Sequence, residues 1–293
     1  MKHFRVYSKI IVTAVVVLSF LGTLTAEVAQ TKTIPQNHKL AVLSGVTPVT
    51  YFDQFIDPQW SPDGTRLSFS KEKYDALFMT ELKSEVINTL VNQPFCGYEP
   101  RWSDNGDVIF FRTAGQTFTD TLSHAVTLMG EKKQSVYRSK LHQEAQLSVK
   151  NHQIYLHKKS AQSSAPGVTQ AITDQADKYF APVLSPNGKF LLFEGIVSGI
   201  FIRDLGNDTL IHVGRGNHPC WSSDSKSIVF DRTTDDGTQI TSGDLFMYNL
   251  EKNETIQLTN TDDVIEQRPA ISPDNSRIAF DANGAIFIGY ITY

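Results

Sequence analysis

Cysteine is scarce in this chain of 293 residues. Cys96 and Cys220 are the only two, too few for a disulfide framework. A basic excess is missing as well: 27 Lys and Arg stand against 31 Asp and Glu, a net charge of −4. Nucleic acid and anionic membrane surfaces call for a basic footprint, so neither is an expected partner. Long hydrophobic runs are absent too. The longest, residues 10–24, has 15 residues, short of the roughly 18–20 that cross a bilayer. No His-Glu-x-x-His occurs, and Gly195-Ile196-Val197-Ser198-Gly199 sets its serine in the wrong place for a nucleophile elbow. No second domain is expected to hold a triad, so serine hydrolysis is not the expected activity. What is present is ordinary for a globular chain, 40% hydrophobic and 20% charged, which rules out disorder as the dominant state. The 18 Phe, 10 Tyr and 3 Trp favour β structure.

The N-terminus reads as an export signal. Lys2, Arg5 and Lys9 precede the apolar run, and the small pair Thr25-Ala26 precedes the polar Glu27. The expected processed segment is 1–26, with a retained anchor as the alternative. No cysteine near Ala26 offers a lipid attachment point. Residues 27–38, polar and carrying Pro35, are expected to be a flexible lead. Loss of the three cations takes the net charge from −4 to −7. The expected location is periplasmic or secreted, with no membrane span in the processed chain.

A repeat runs through the remainder. Pro58-Gln59-Trp60-Ser61-Pro62-Asp63-Gly64 is followed by Leu67 and Phe69. The frame returns at Pro100 to Gly106 with Ile109 and Phe111, and at Pro182 to Gly188 with Leu191 and Phe193. It returns again at Pro219 to Ser225 with Ile228 and Phe230, and at Pro269 to Asn275 with Ile278 and Phe280. Ser148 fills the long gap weakly, with Leu147 at the Trp position and Ile154 and Leu156 at the apolar ones. The serines 61, 103, 148, 185, 222 and 272 are spaced 42, 45, 37, 37 and 50 residues apart, the period of four-stranded propeller blades.

The physics of one unit explains the frame. A strand carrying Trp or a large aliphatic meets a tight turn, where Asp-Gly or Asn-Gly tolerates positive φ. The chain reverses into a second strand whose two apolar residues alternate inward. A third strand is expected at 76–79, 200–202, 245–248 and 285–290, and a fourth, more polar one at 86–90 and 255–258. Such a sheet buries both faces only between neighbours, so the units must close a ring. The last unit ends after its third strand, and residues 40–44 form an apolar stretch with nothing local to pair with. The expected fold is all-β: a six-bladed propeller of four-stranded antiparallel blades over 39–293, closed by an N-terminal strand that completes the last blade.

The Pro-x-Trp-Ser-Pro-Asp-Gly frame with its two alternating apolar residues resembles the repeat of the TolB-like β-propellers across residues 39–293. The likeness implies fold strongly and function weakly, because such propellers also occur in prolyl-oligopeptidase-type enzymes and some polysaccharide lyases. TolB carries an α/β domain ahead of its propeller, and only about a dozen processed residues precede it here, so contacts made through that domain do not carry over.

Most polar residues have a structural explanation. Trp60, Trp102 and Trp221 read as inter-blade packing. Asp63, Asp224 and Asp274 read as turn caps. Asp231, Asp235, Asp236 and Gly237 read as a polar insertion joining the second and third strands of the fifth unit. His152 and His157 sit on opposite faces of a strand, which excludes joint chelation. Cys96 and Cys220 lie across the ring and should be free thiols. The segments before each frame proline converge on the channel mouth. They carry Tyr51, Phe52 and Asp57; Tyr98 and Glu99; His142 and Gln143; Tyr179 and Phe180; Asn217 and His218; and Glu266, Gln267 and Arg268. The candidate binding residues are Tyr98, Glu99, His142, Tyr179, Phe180, His218, Gln267 and Arg268. As the TolB resemblance implies, the expected function is a non-enzymatic envelope scaffold binding a protein or peptide, as a monomer or within a larger assembly, with no catalytic residue and no cofactor. The alternative is a carbohydrate lyase in which His142, His218, Gln267 and Arg268 hold a divalent cation and an acidic sugar.

Overall fold

The computed structural model of the chain describes residues 42–51, 54–84, 86–98, 100–114, 121–134, 145–158, 167–262 and 264–292. Readings that concern residues 1–41, Phe52, Glu99, His142 and Gln143 fall outside these. The opening strand is β1 (Val42–Pro48). The first blade follows as β2 (Phe55–Trp60), β3 (Arg66–Lys71), β4 (Ala76–Glu81) and β5 (Ile87–Asn92). The second is β6 (Arg101–Trp102), β7 (Val108–Ala114), β8 (Thr121–Thr127) and β9 (Lys132–Gln134). The third shows β10 (Ala145–Lys150), β11 (Gln153–Lys158) and β12 (Val168–Ala171). The fourth is β13 (Tyr179–Leu184), β14 (Phe190–Gly195), β15 (Gly199–Asp204) and β16 (Leu210–Gly214). The fifth is β17 (Asn217–Trp221), β18 (Ser227–Asp235), β19 (Ile240–Asn249) and β20 (Glu254–Gln257). The sixth is β21 (Glu266–Ile271), β22 (Arg277–Ala282) and β23 (Ala285–Thr292), completed by β1 in the order β1-β23-β22-β21. All strand pairs within the blades are antiparallel, and the architecture is a six-bladed β-propeller.

Ring closure takes the expected form, displaced by a few residues. The closing strand is Val42–Pro48 and not 40–44, with Val42 opposite Thr292 and Pro48 opposite Phe287. At the seam, Phe55, Trp60, Leu67 and Phe69 of the first blade pack with Ala279, Ile286 and Ile288 of the sixth. The hydrophobic effect thereby joins the two ends of the propeller, much as a clasp would.

The frame forms the same turn five times. Ser61, Ser103, Ser185, Ser222 and Ser272 each accept, at Oγ, the backbone N–H five residues on. Each donates its hydroxyl to the acidic or amide side chain two residues on, as Ser222 does to Asp224 at 2.7 Å. Gly64, Gly106, Gly188, Ser225 and Asn275 occupy the left-handed position with φ of 68°, 72°, 70°, 62° and 59°. The residue types read as turn formers therefore sit where positive φ is required.

Packing between blades follows from the same frame. Trp60 donates its indole N–H to the Ala270 carbonyl of the preceding blade at 2.9 Å, and Arg277 of that blade lies 4.5 Å from its ring. Trp102 bonds Gln59 O, and Trp221 bonds Val183 O, each at 3.3 Å. Beneath them Phe69, Phe193, Phe230 and Phe280 are fully buried. Each contributes roughly 1.5–3 kcal/mol by burial alone.

The third blade departs from the expected frame. The Tyr179 N–H donates to His152 O, just as Phe55 N–H donates to Gly284 O and Gly97 N–H to Tyr74 O. Gly284 and Tyr74 lie in turns between second and third strands, so β10 and β11 are the second and third strands here. Ile154 and Leu156 pack on Leu191 and Phe193 of the next blade, the place a third strand takes. The alignment on Ser148 is therefore corrected. Its Oγ caps no frame turn and instead bonds His157 Nε2 at 2.7 Å. The sequence of this unit carries no Trp-Ser-Pro-Asp-Gly signal, and alternation alone does not separate a second strand from a third.

The fifth blade is also longer than a loop insertion would make it. Residues 227–235 and 240–249 pair as one extended hairpin, closed at Asp236, whose Oδ1 accepts from the N–H groups of Thr238 and Gln239. Asp235 and Asp236 belong to this polar tip. Asp231 does not: it is a fully buried residue within β18.

Candidate binding face at the channel mouth

Strand direction alternates within each blade, so the second-to-third turns and the connections between blades share one end of the propeller. The residue before each frame proline opens that end of the first strand. Asp57, Ala181, His218 and Arg268 take φ of 56°, 46°, 50° and 49° there. Each sits at an interruption in strand register, between Ile56 and Gln59, Phe180 and Val183, Asn217 and Cys220, and Gln267 and Ala270. At Asp57 and Arg268 the bulge turns the backbone N–H toward the preceding blade.

What receives those N–H groups is a carboxylate at the inner end of the second strand. Asp231 Oδ1 accepts the Arg268 N–H at 3.0 Å, and Asp281 Oδ1 accepts the Asp57 N–H at 3.1 Å. Asp231 Oδ1 also lies 2.7 Å from His218 Nδ1, and its Oδ2 takes a longer bond from Asn217 Nδ2 at 3.4 Å. Arg268 Nε approaches Asp281 Oδ1 at 2.9 Å, a charge contact whose N–H is not aligned for a hydrogen bond. Gln59 donates to Asp57 Oδ1 at 3.1 Å. Asp57, His218, Asp231, Arg268 and Asp281 thus form one network across the first, fifth and sixth blades.

Burial governs its titration. Asp281 is pushed up to about 7 by burial, against the pull of Arg268 and the Asp57 N–H and with the added repulsion of Asp57. Burial also raises Asp57, opposed by Arg268, Gln59, His218 and Arg101. For His218, burial disfavours the imidazolium, yet the bond and charge of Asp231 outweigh it and the net shift is upward. Burial raises the Cys220 thiol. Neither Cys96 nor Cys220 forms a disulfide, as expected.

Asp281 is absent from the residues that the sequence singles out, and Asp231 belongs to a strand rather than to the insertion expected for it. A signal exists: Phe193-Glu194, Phe230-Asp231 and Phe280-Asp281 each place an acidic residue directly after the inward Phe. A carboxylate at that point of a buried strand needs a partner, and the bulged N–H of the next blade is one.

Around this network the same end of the propeller exposes apolar side chains. Tyr51 is 73% exposed and Val197 79%, with Phe95, Tyr98, Phe180, Ile196 and Ile240 also open. Several are held firmly. Tyr98 packs edge-on against Tyr74 at 5.3 Å. Asp177 Oδ2 accepts the Val197 N–H, the Ser198 N–H and the Ser198 hydroxyl at 3.0, 2.8 and 2.7 Å. Those bonds, the hydroxyl foremost, hold Asp177 at about 2. Tyr179 lies beneath the rim: it is buried, packs on Phe193 and Phe201, and donates its hydroxyl to Asp174. Gln267 is half-buried beside Arg268. Among the described residues no group of three or more His, Cys, Asp or Glu is placed to hold a metal ion, and no helix is long and apolar enough to cross a membrane.

No protein-family model matches the chain, and no curated protein does. Solved structures do. The chain is similar to a gluconolactonase from Xanthomonas campestris, at 10% identity over 84% of this chain and 89% of that one, with a TM-score of 0.55. It is similar to an oligogalacturonate lyase in complex with manganese, at 12% identity over 84% and 93%, with a TM-score of 0.45. It is also similar to TolB from Acinetobacter baumannii, at 14% identity and a TM-score of 0.37. That last match covers 81% of this chain and 54% of TolB, so the chain spans about half the length of that relative. The likeness is one of fold: a β-propeller that both binding proteins and enzymes use.

Proposed function

We propose that this chain is an exported, non-enzymatic propeller of the TolB-like type that binds a protein or peptide of the cell envelope at its channel mouth. The observation that carries the reading is the apolar rim: Tyr51, Tyr98, Phe180, Ile196 and Val197 are exposed together at one end. Clustered exposed aromatic and aliphatic residues on a rigid scaffold are what a partner desolvates. The charged groups beneath favour recognition over chemistry, because Asp231 and Asp281 are engaged in fastening neighbouring blades. Export rests on the N-terminal pattern of cations, apolar run and small residues.

The test is site-specific photo-crosslinking in cells, with the reactive group at Tyr51, Tyr98 or Val197, and at Met129 or Leu210 in the turns of the opposite end. The reading expects one envelope protein crosslinked from the first three positions and not from the last two, with loss on Tyr98→Ala and Arg268→Ala together. Equal crosslinking from both ends would overturn it.

A further inference from the structure

A second set of residues is unaccounted for by the channel mouth. A groove of about 500 Å³ runs along the seam of the fifth and sixth blades. One wall is apolar, from Val42, Leu43, Val46 and Leu258, and the other is polar, from Gln257 and residues 259–261. The Leu43 N–H bonds Leu258 O at 3.1 Å and ties the closing strand across the seam.

Glu266 lines the same groove and is 5% exposed. Its Oε2 is buried and has no hydrogen-bond partner. Leaving a buried carboxylate oxygen without a donor is costly, and few such atoms survive in a folded chain without an explanation. Burial pushes Glu266 toward its neutral form, Asp244 adds to that push, and the hydroxyls of Thr259 and Thr261 oppose it. Asp244 is occupied: its Oδ1 accepts the Thr261 N–H at 3.1 Å and its Oδ2 accepts from Gln257 at 3.3 Å. One carboxyl oxygen, Oε2, is therefore without a donor beside an apolar wall, and a cation placed against it would favour the ionised form that burial opposes.

A vacant carboxylate flanked by aliphatic side chains is complementary to a cation on an alkyl stem. The geometry points to a binding site for a primary alkylammonium, the side chain of a lysine in a peptide, with its ammonium on Glu266 Oε2 and its methylenes against Val42, Val46 and Leu258. The inference is independent of the channel-mouth reading and stands or falls without it.

The test uses two probes with the same four-carbon side chain, Nα-acetyl-lysine methylamide and Nα-acetyl-norleucine methylamide, which lacks only the ammonium. Each is titrated into the full chain and followed by the amide resonances of Thr259 and Thr261. The lysine probe should bind at least about tenfold more tightly, the usual worth of a charge-assisted hydrogen bond. Glu266→Gln keeps the shape of the side chain and should remove that preference. Val46→Lys, at an exposed position on the groove wall, should supply a tethered ammonium and block the free probe while leaving Glu266 in place. Equal binding of the two probes, or undiminished lysine binding in Glu266→Gln, overturns the assignment. So does the absence of any shift with the lysine probe at about 50 mM, a concentration that saturates a site with a Kd of about 1 mM.

Discussion

Replacing Asp281 by asparagine separates a buried proton from a buried ion pair. The carboxyl is held at about 7 against an ordinary 3.8, chiefly by burial. A raised native value means that the folded state keeps a proton that the unfolded state has released. Stability from this group is therefore fully present below about pH 4 and is lost as pH rises through 7. The rise from 3.8 to about 7 corresponds to about 4 kcal/mol in the limit. The pull of Arg268, 2.9 Å away, is already contained in that value, and pH 5 to 8 spans only part of the interval between the two values, so the expected loss there is about 2–4 kcal/mol. Asp57, Glu266 and His218 are shifted upward too and act with the same sign. Asp274, held at about 2 with the Ser272 hydroxyl as its largest cause, works the other way, but only below about pH 4. The stability maximum should thus fall on the acidic side of neutrality. The Asp281→Asn variant keeps the acceptor for the Asp57 N–H and carries no proton to lose. Urea unfolding from about pH 4.5 to 8.5 should show the wild type falling by about 2–4 kcal/mol more than Asp281→Asn. If the two profiles run parallel and the variant is weaker at every pH, the Arg268 ion pair outweighs burial and the reasoning fails.

Three further outcomes follow from the packing. Trp60→Phe loses the bond to Ala270 O and the stacking of Arg277, and should destabilise by about 1–3 kcal/mol in urea. Deleting residues 42–48 exposes the β23 edge and should shift the protein toward aggregates in size-exclusion chromatography, whereas a permutant carrying 42–48 after Tyr293 should elute as the parent chain does and keep its cooperative melt. In the native protein Cys96 should resist a thiol reagent, because it is fully buried in the seam of the first and second blades; modification as fast as in urea would contradict that packing.

The sequence by itself determined the architecture. Trp, Ser and the Asp-Gly, Asn-Gly, Asp-Ser or Asp-Asn turn recur in one short frame, and each does a local job: indole to the neighbouring blade, hydroxyl to the turn N–H, small residue at positive φ. Local roles of that kind are legible because they depend only on residues a few positions apart. The apolar stretch near the start and the missing fourth strand at the end are enough to infer the clasp. The third blade is misaligned for the same reason in reverse, since without the frame only alternation remains, and a second and a third strand alternate alike.

The network at the channel mouth was decided by tertiary structure. Asp57 and Asp281 stand 224 positions apart and Arg268 and Asp231 stand 37 apart, and their meeting depends on ring closure and on bulges that turn single N–H groups toward another blade. Nor does residue type reveal that Tyr179, at an apparent rim position, points into the core, or that one oxygen of Glu266 is left without a donor. Burial and pairing are properties of the assembled seam, where strands distant in sequence fix which polar groups are desolvated and which are matched.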